Sequence, residues 1–485
     1  MIASPTHWGF DVMVDIKWFD EVMKEKDQLI KDTQTLLQIK SVLDEEQSTP
    51  DAPLGNGVKE ALDYMLQKGE RDGFRSKKVG NLAGYLEFGE GEESVGILCH
   101  VDVVPEGDGW YSDPFGAEIR DGKIFARGAI DDKGPTMAAY YAMKIVKELG
   151  LPMNRRVRMI IGTDEESDWR CVEHYFKQEE MPTVGFAPDA DFPIIFAEKG
   201  ISDFDLVQND VLKNENTLDL KMELIQFQSG RRYNMVPDFA KAVVQVNVEK
   251  THFIQKYNDF LKSHSVKGRC YVDNGEVILE LEGISAHGME PDNGINAGLL
   301  LANFLLENNK DQAAQSFLTF ASEILYQDSR GKKLGVAFAD DLSGDLTINV
   351  GKISYDQVKG GRFGLNLRYP VTNDLDVTIR KLTEVVSAKG FSVQALSDSK
   401  PHHVDEKSEL IQILTRVYEE QTGEKAELLA IGGGTYARSL KSGVAFGPLF
   451  PGREDIAHQE DEYIYIDDLL KATAIYAQAI YELAK

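Results

Sequence analysis

The stretch from Ser94 to Thr163 constrains the fold of this chain most. Ser94-Val95-Gly96-Ile97-Leu98-Cys99 is a short apolar run that ends in polar residues, the pattern of a buried strand. Pro135 opens a helical stretch from Met137 to Leu149, and Gly150 closes it. Proline just inside the start and glycine just past the end are helix punctuation. Arg156 to Thr163 then reads as a second strand. Strand, helix and strand in this order predict a parallel sheet covered by helices.

The chain has 485 residues, too many for one core, and at roughly 100–200 residues per domain two to four domains are expected. From about Gly200 to Lys400 the texture changes. Lys241 to Glu249 is strand-like, and Thr251 to His264 is helix-like with Thr251 as N-cap. Arg269 to Val272 and Glu276 to Glu282 flank Asp273-Asn274-Gly275, a hairpin signal. Leu346 to Val350 and Arg362 to Tyr369 read as strands, and Asn373 to Ala388 as a helix stopped by Gly390. This is α+β with antiparallel hairpins. After Pro401 the α/β character returns, with a helix over Ser408–Thr422 that stops at Gly423. Asp467 is the expected cap of a last helix, whose Leu469, Thr473, Tyr476, Ile480 and Leu483 form a core-facing stripe. The boundaries are therefore 1–200, 201–400 and 401–485, with the middle segment inserted into an α/β domain.

Asp and Glu outnumber Lys and Arg by 80 to 53, a net charge of −27. That balance argues against nucleic acid and against an anionic membrane surface, both of which need basic patches. No apolar run approaches the ~18 residues that span a bilayer. Three cysteines (Cys99, Cys171 and Cys270) without CxxC spacing argue against a disulfide framework and a thiolate zinc site. They suit a reducing compartment. Met1 to Glu25 shows no signal-peptide pattern, so a cytoplasmic protein is expected.

Five segments place imidazoles and carboxylates at strand ends and loops. His100-Val101-Asp102 follows the first strand, where α/β proteins place their sites. Asp102 is positioned to orient the His100 ring, which sharpens metal ligation; a solvated loop is the competing reading. Asp131-Asp132 precedes the Gly134-Pro135 helix start, as helix caps or as a carboxylate shared by two cations. Asp164-Glu165-Glu166 follows the second strand. Adjacent carboxylates repel, and a divalent cation offsets that cost where an acidic turn in solvent would not need one. Asp189 and His458 lie in the fourth and fifth segments, Pro188–Pro193 and Ile456–Glu462. His100, Asp131, Glu166, Asp189 and His458 would together suit zinc, manganese or cobalt.

The order HVDVVP, GAIDDKGP, TDEES, PDADFP and AHQEDE resembles the dinuclear, co-catalytic metallopeptidases, the superfamily of aminoacylases and glutamate carboxypeptidases. Asp108–Phe115, Ala126–Thr136, Ile160–Trp169 and Gly432–Arg438 resemble the bacterial PepV-type dipeptidases most closely. The resemblance implies an α/β catalytic domain, its mixed and mostly parallel sheet flanked by helices, with an inserted α+β lid domain. It implies two divalent metal ions, zinc first, with manganese or cobalt as alternatives. Asp131 would bridge them, His100 and Asp189 would complete one site, and Glu166 and His458 the other. Asp132 would be a neighbour without direct ligation. Glu165 would be the general base and Asp102 would orient His100. From the lid, His287 and Asn234 would steady the oxyanion and Arg368 would pair with the substrate carboxylate, which Gly433 and Gly434 of the segment after the lid would help hold. A large lid supplies His287 within one chain, which implies a monomer acting on dipeptides. An N-acyl amino-acid deacylase or desuccinylase shares the same metal core, and a silent peptide-binding relative would lack a ligand or Glu165. His7, His174, His252, His264, His402 and His403 match no motif.

Overall fold

The computed structural model describes residues 16–209, 222–247, 249–309 and 311–485. His7 therefore lies outside the described residues. The chain forms two compact units. One comprises the described part of Met1–Phe196 with Val404–Leu429 and Thr435–Lys485. The other comprises the described part of Ala197–His403 with Ala430–Gly434, a short piece taken from the C-terminal segment.

The first unit is built on a mixed sheet. Its order runs Arg75–Val79, Ala83–Phe88, Arg156–Gly162, Ser94–His100, Val184–Ala187, Gly443–Ala445 and Ile194–Glu198. The parallel pairings are the central ones: Ser94–His100 pairs in parallel with Arg156–Gly162 and with Val184–Ala187, which pairs in parallel with Gly443–Ala445. The pairings outside them are antiparallel. Every residue of Ser94–His100 is buried, which is why it reads as a continuous apolar run. The crossover helix spans Lys133–Leu149, with Pro135 in its first turn and Gly150 closing it in the left-handed region at φ 61°. Against it pack Trp18–Leu37 and Ile466–Ala484, and Ile466–Ala484 also packs on Glu409–Thr422. No helix among the described residues is long and apolar enough to cross a membrane.

The second unit carries an eight-stranded sheet backed by helices. The hairpin at Asp273-Asn274-Gly275 pairs Lys267–Asp273 with Glu276–Glu282. The sheet's two longest strands, Thr347–Asp356 and Gly360–Tyr369, pair antiparallel. The helix Leu375–Ser387 is capped by the Asp374 side chain.

Two expected caps are corrected. The helix over 250–263 starts one residue before Thr251, with Glu249 at the N-cap position and no side-chain cap bond. The last helix starts at Ile466 after Tyr465, which puts Asp467 in its first turn rather than at the cap. There a carboxylate still meets the positive end of the helix dipole, so the acidic signal is right while the position is not. By contrast Ser408 caps Glu409–Thr422 through its side chain, and Gly423 closes that helix at φ 74°.

Candidate active site

Parallel pairing brings the acidic loops of the first unit to one edge. His100 is register partner of Gly162, and Ile97 of Phe186. The neighbouring strands therefore end beside His100, and the loops that leave them carry Glu165, Glu166 and Asp189. This is the carboxyl edge of a parallel sheet, the usual place for an α/β site. Asp131 comes from the turn before Lys133–Leu149, and His458 from the loop before the last helix.

The geometry turns on Asp131. Its Oδ1 lies 3.1 Å from His100 Nε2, and its Oδ2 lies 2.9 Å from His458 Nε2. One carboxylate thus serves two imidazoles, one oxygen each. Asp189 Oδ1 lies 3.6 Å from His100 Nε2, and Glu166 Oε1 3.0 Å from His458 Nε2. Candidate ligand atoms of His100, Asp131 and Glu166 form one compact group, and those of His100, Glu165 and Asp189 another. His100 is fully buried, whereas the His458 side chain is half exposed.

Around the cluster a set of hydrogen bonds fixes its loops. His100 Nδ1 contacts the Asp102 carbonyl oxygen at 3.1 Å and its carboxylate at 3.4 Å, which aims Nε2 at Asp131. The other Asp102 oxygen accepts the backbone N–H of Glu166 at 3.1 Å. Asp132 is buried; its Oδ2 accepts the His100 N–H at 3.2 Å and the Thr136 hydroxyl at 3.1 Å. Asp164 takes the Arg170 guanidinium through both oxygens and so shapes the turn bearing Glu165 and Glu166.

Sequence reasoning missed one clamp. Glu462 Oε1 accepts the backbone N–H groups of Ile130 at 2.9 Å and Asp131 at 3.2 Å. Its Oε2 pairs with Arg127 at 2.6 Å, and both side chains are buried. Glu462 ties the segment that carries Asp131 to the segment that carries His458. Its only signal in the sequence is that it ends a run of three carboxylates, Glu460 to Glu462.

Charge is expensive at this site. Burial, and then the neighbouring Asp189, push the Glu165 carboxyl well above its usual range. Burial and then Asp131 push Glu166 up to about 7. Burial also raises Asp189. Burial alone would raise Asp131 too, but the His100 and His458 imidazoles beside its two oxygens outweigh it and hold that carboxyl low. His100 Nε2 and Asp131 Oδ1 are both buried without a hydrogen-bond partner among the described residues, although they face each other. Two orphaned donor atoms amid carboxylates and imidazoles fit divalent cations of borderline hardness.

The second unit holds the remaining expected residues. Met235 and His287 form an isolated antiparallel bridge, and Gly288 N–H donates to the Asn234 carbonyl at 2.7 Å. Asn234 and His287 therefore sit on segments that run side by side. The Met289 N–H donates to His287 Nδ1 at 3.1 Å, so Nδ1 is an acceptor and the ring proton resides on Nε2. Desolvation and the Arg368 guanidinium push the His287 pKa below its ordinary value, which keeps the ring neutral. Arg368 is buried; its Nε donates to Asn366 Oδ1 at 2.8 Å and its Nη1 to the Gly432 carbonyl at 3.2 Å. The turn that carries Gly433 and Gly434 is thereby joined to Arg368. Of the histidines without a motif, His174 bonds Gln178, His264 lies against Phe260, and His402 and His403 form a two-residue strand.

Residues 96–482 match the model of Peptidase family M20/M25/M40. The chain is 56% identical over 470 residues to a Bacillus subtilis (strain 168) protein described as "Putative dipeptidase YtjP", covering 97% of this chain and 100% of that one. It is 48% identical over 466 residues to a Staphylococcus epidermidis "Putative dipeptidase", covering 96% and 99%. Among solved structures, aminoacylhistidine dipeptidase from Vibrio alginolyticus aligns with a TM-score of 0.58 at 14% identity, covering 94% of this chain and 96% of that one. Human carnosine dipeptidase 1 aligns at 0.54 and 16%, covering 96% and 98%. At these identities the structural likeness is one of fold.

Proposed function

The chain belongs to peptidase family M20/M25/M40 and acts as a hydrolase, and from that premise we propose that it is a dinuclear metal-dependent dipeptidase. The substrates in this reading are dipeptides with a free N-terminal amine. The observation that carries it is the division of the two Asp131 oxygens between His100 and His458. The dipeptidase names of the relatives that it matches end to end support the substrate class.

His100, Asp131 and Asp189 would hold one cation, and Asp131, Glu166 and His458 the other. When bound, such ions supply Lewis acidity to the scissile carbonyl and lower the pKa of the attacking water. Zinc is the first choice for this ligand set, with manganese or cobalt as alternatives. Asp102 keeps the His100 ring turned so that Nε2 faces Asp131. Glu165 takes the proton of the attacking water and returns it to the leaving amine. Its burial beside Asp189 raises its proton affinity, the property a general base uses. His287 donates its Nε2–H to the oxygen of the tetrahedral centre, and Asn234 shares that task. Arg368, with the backbone of Gly433 and Gly434, holds the substrate carboxylate; a guanidinium suits bidentate binding. An inserted unit that supplies His287 within the chain makes the active form a monomer in this reading. The proposed compartment is the cytoplasm, where three cysteines without CxxC spacing stay reduced.

The test is a panel of dipeptides, N-acetyl amino acids and pentapeptides. The expected outcome is turnover of dipeptides alone. Turnover of acetylated amino acids with dipeptides untouched would replace this reading with an acylase.

A further inference from the structure

We propose that Asn349 is a positioning residue that presents Asn234 for catalysis. It acts from the floor of the second unit's sheet. The inference rests on the proposed oxyanion role of Asn234. Asn349 lies in the strand Thr347–Asp356 and is 1% exposed, between the buried apolar residues Ile348 and Val350. Its Nδ2 donates to the Tyr233 carbonyl at 2.6 Å and to the Met235 carbonyl at 2.9 Å. These are the residues on either side of Asn234. One amide thus grips the chain before and after Asn234, and both acceptors being carbonyls, its NH2 must face them.

The grip carries a cost. Asn349 Oδ1 is buried with no hydrogen-bond partner among the described residues. A buried polar atom left unpaired is unfavourable, and an apolar side chain at this position would avoid it. What an apolar side chain would lose is the hold on the carbonyls of residues 233 and 235. The close approach is built in next door. A Cβ on Gly351 would lie 2.3 Å from the carbonyl oxygens of Arg232 and Tyr233, so only glycine lets this segment lie on the strand.

The same sheet surface supports the other two groups. Asn366, register partner of Asn349, accepts from Arg368 Nε and donates to Asp203 Oδ1 at 2.6 Å. Thr347, register partner of Arg368, donates its hydroxyl to the Met289 carbonyl at 3.1 Å, and Met289 N–H fixes the His287 ring. Asn349, Asn366 and Thr347 are each 1% exposed. None of the three is in direct line for chemistry, yet each holds a segment or side chain that is.

A double-mutant cycle tests this on the metal-loaded, full-length enzyme with a dipeptide substrate. An oxyanion donor acts in the transition state, so its displacement lowers kcat and leaves KM nearly unchanged. Asn349→Ala should lower kcat about 10-fold, less than Asn234→Ala at about 100-fold. Because Asn349 acts through Asn234, the double variant should be no slower than Asn234→Ala alone. Asn349→Ser, which keeps one donor, should fall between the wild type and Asn349→Ala. It carries the cycle if the alanine variant fails to fold. Losses that multiply in the double variant would overturn the proposal, as would a normal kcat in Asn349→Ala beside a crippled Asn234→Ala. A normal kcat in Asn234→Ala itself would instead sink the oxyanion role on which the proposal rests.

Discussion

The two units solve the problem of placing polar groups in opposite ways. In the first, His100, Asp131, Glu165, Glu166 and Asp189 face one another, and His100 Nε2 and Asp131 Oδ1 have no hydrogen-bond partner among the described residues. Like charges are crowded together, and burial raises the carboxyl pKa values of Glu165, Glu166 and Asp189. In the second, the segments bearing Asn234 and His287 and the side chain of Arg368 are held by neutral side chains of a sheet. The first arrangement needs an outside charge to be stable as built. The second is organised by the protein alone. The lesson is that removing cations should disturb the first unit and leave the second in order.

The sharpest mutational probe of that contrast is Glu462→Gln. The amide cannot pair with Arg127 as a carboxylate does, so the clamp on Ile130 and Asp131 loosens and a buried guanidinium loses its counter-ion. Outer groups of this kind are worth about 10–100-fold in metal affinity. Competition with a chromophoric chelator should read a loss of that size. An unchanged affinity in a variant with a lowered Tm would make the clamp a matter of folding only.

A smaller effect probes the second unit. His287 is held below its ordinary pKa by desolvation and by Arg368. For a histidine whose folded pKa is depressed, the unfolded chain binds the proton first as pH falls. The neutral ring's contribution to stability is therefore complete above pH ~6.5 and is lost as pH falls from there through the folded value. NMR of the imidazole Cε1–H should place the His287 midpoint below 6.5, and Arg368→Met should raise it. A midpoint at or above 6.5 in the metal-free protein would contradict this account of the second unit.

How much of this could be read from the sequence depends on range. The strand Ser94–His100 and the helix Lys133–Leu149 were legible because burial and punctuation are local patterns. The five acidic and histidine segments were legible because their chemistry repeats a family order. Thr251 and Asp467 misled because a good capping residue one or two positions inside a helix looks the same as one at its start. The helix Ala297–Asn308 gave no signal, since it is apolar on most sides and lacks a clear stripe. Glu462 with Arg127 lies 335 residues apart in sequence, and nothing local marks the pair. Asn349 is a single amide between Ile348 and Val350, and only the carbonyls it holds reveal a purpose.

The most direct test of the account is to strip the protein with a chelator and titrate zinc, manganese or cobalt back while following dipeptide hydrolysis. Stripping should abolish turnover, and activity should return with two equivalents of metal per chain. Full turnover by protein shown to be metal-free would contradict it.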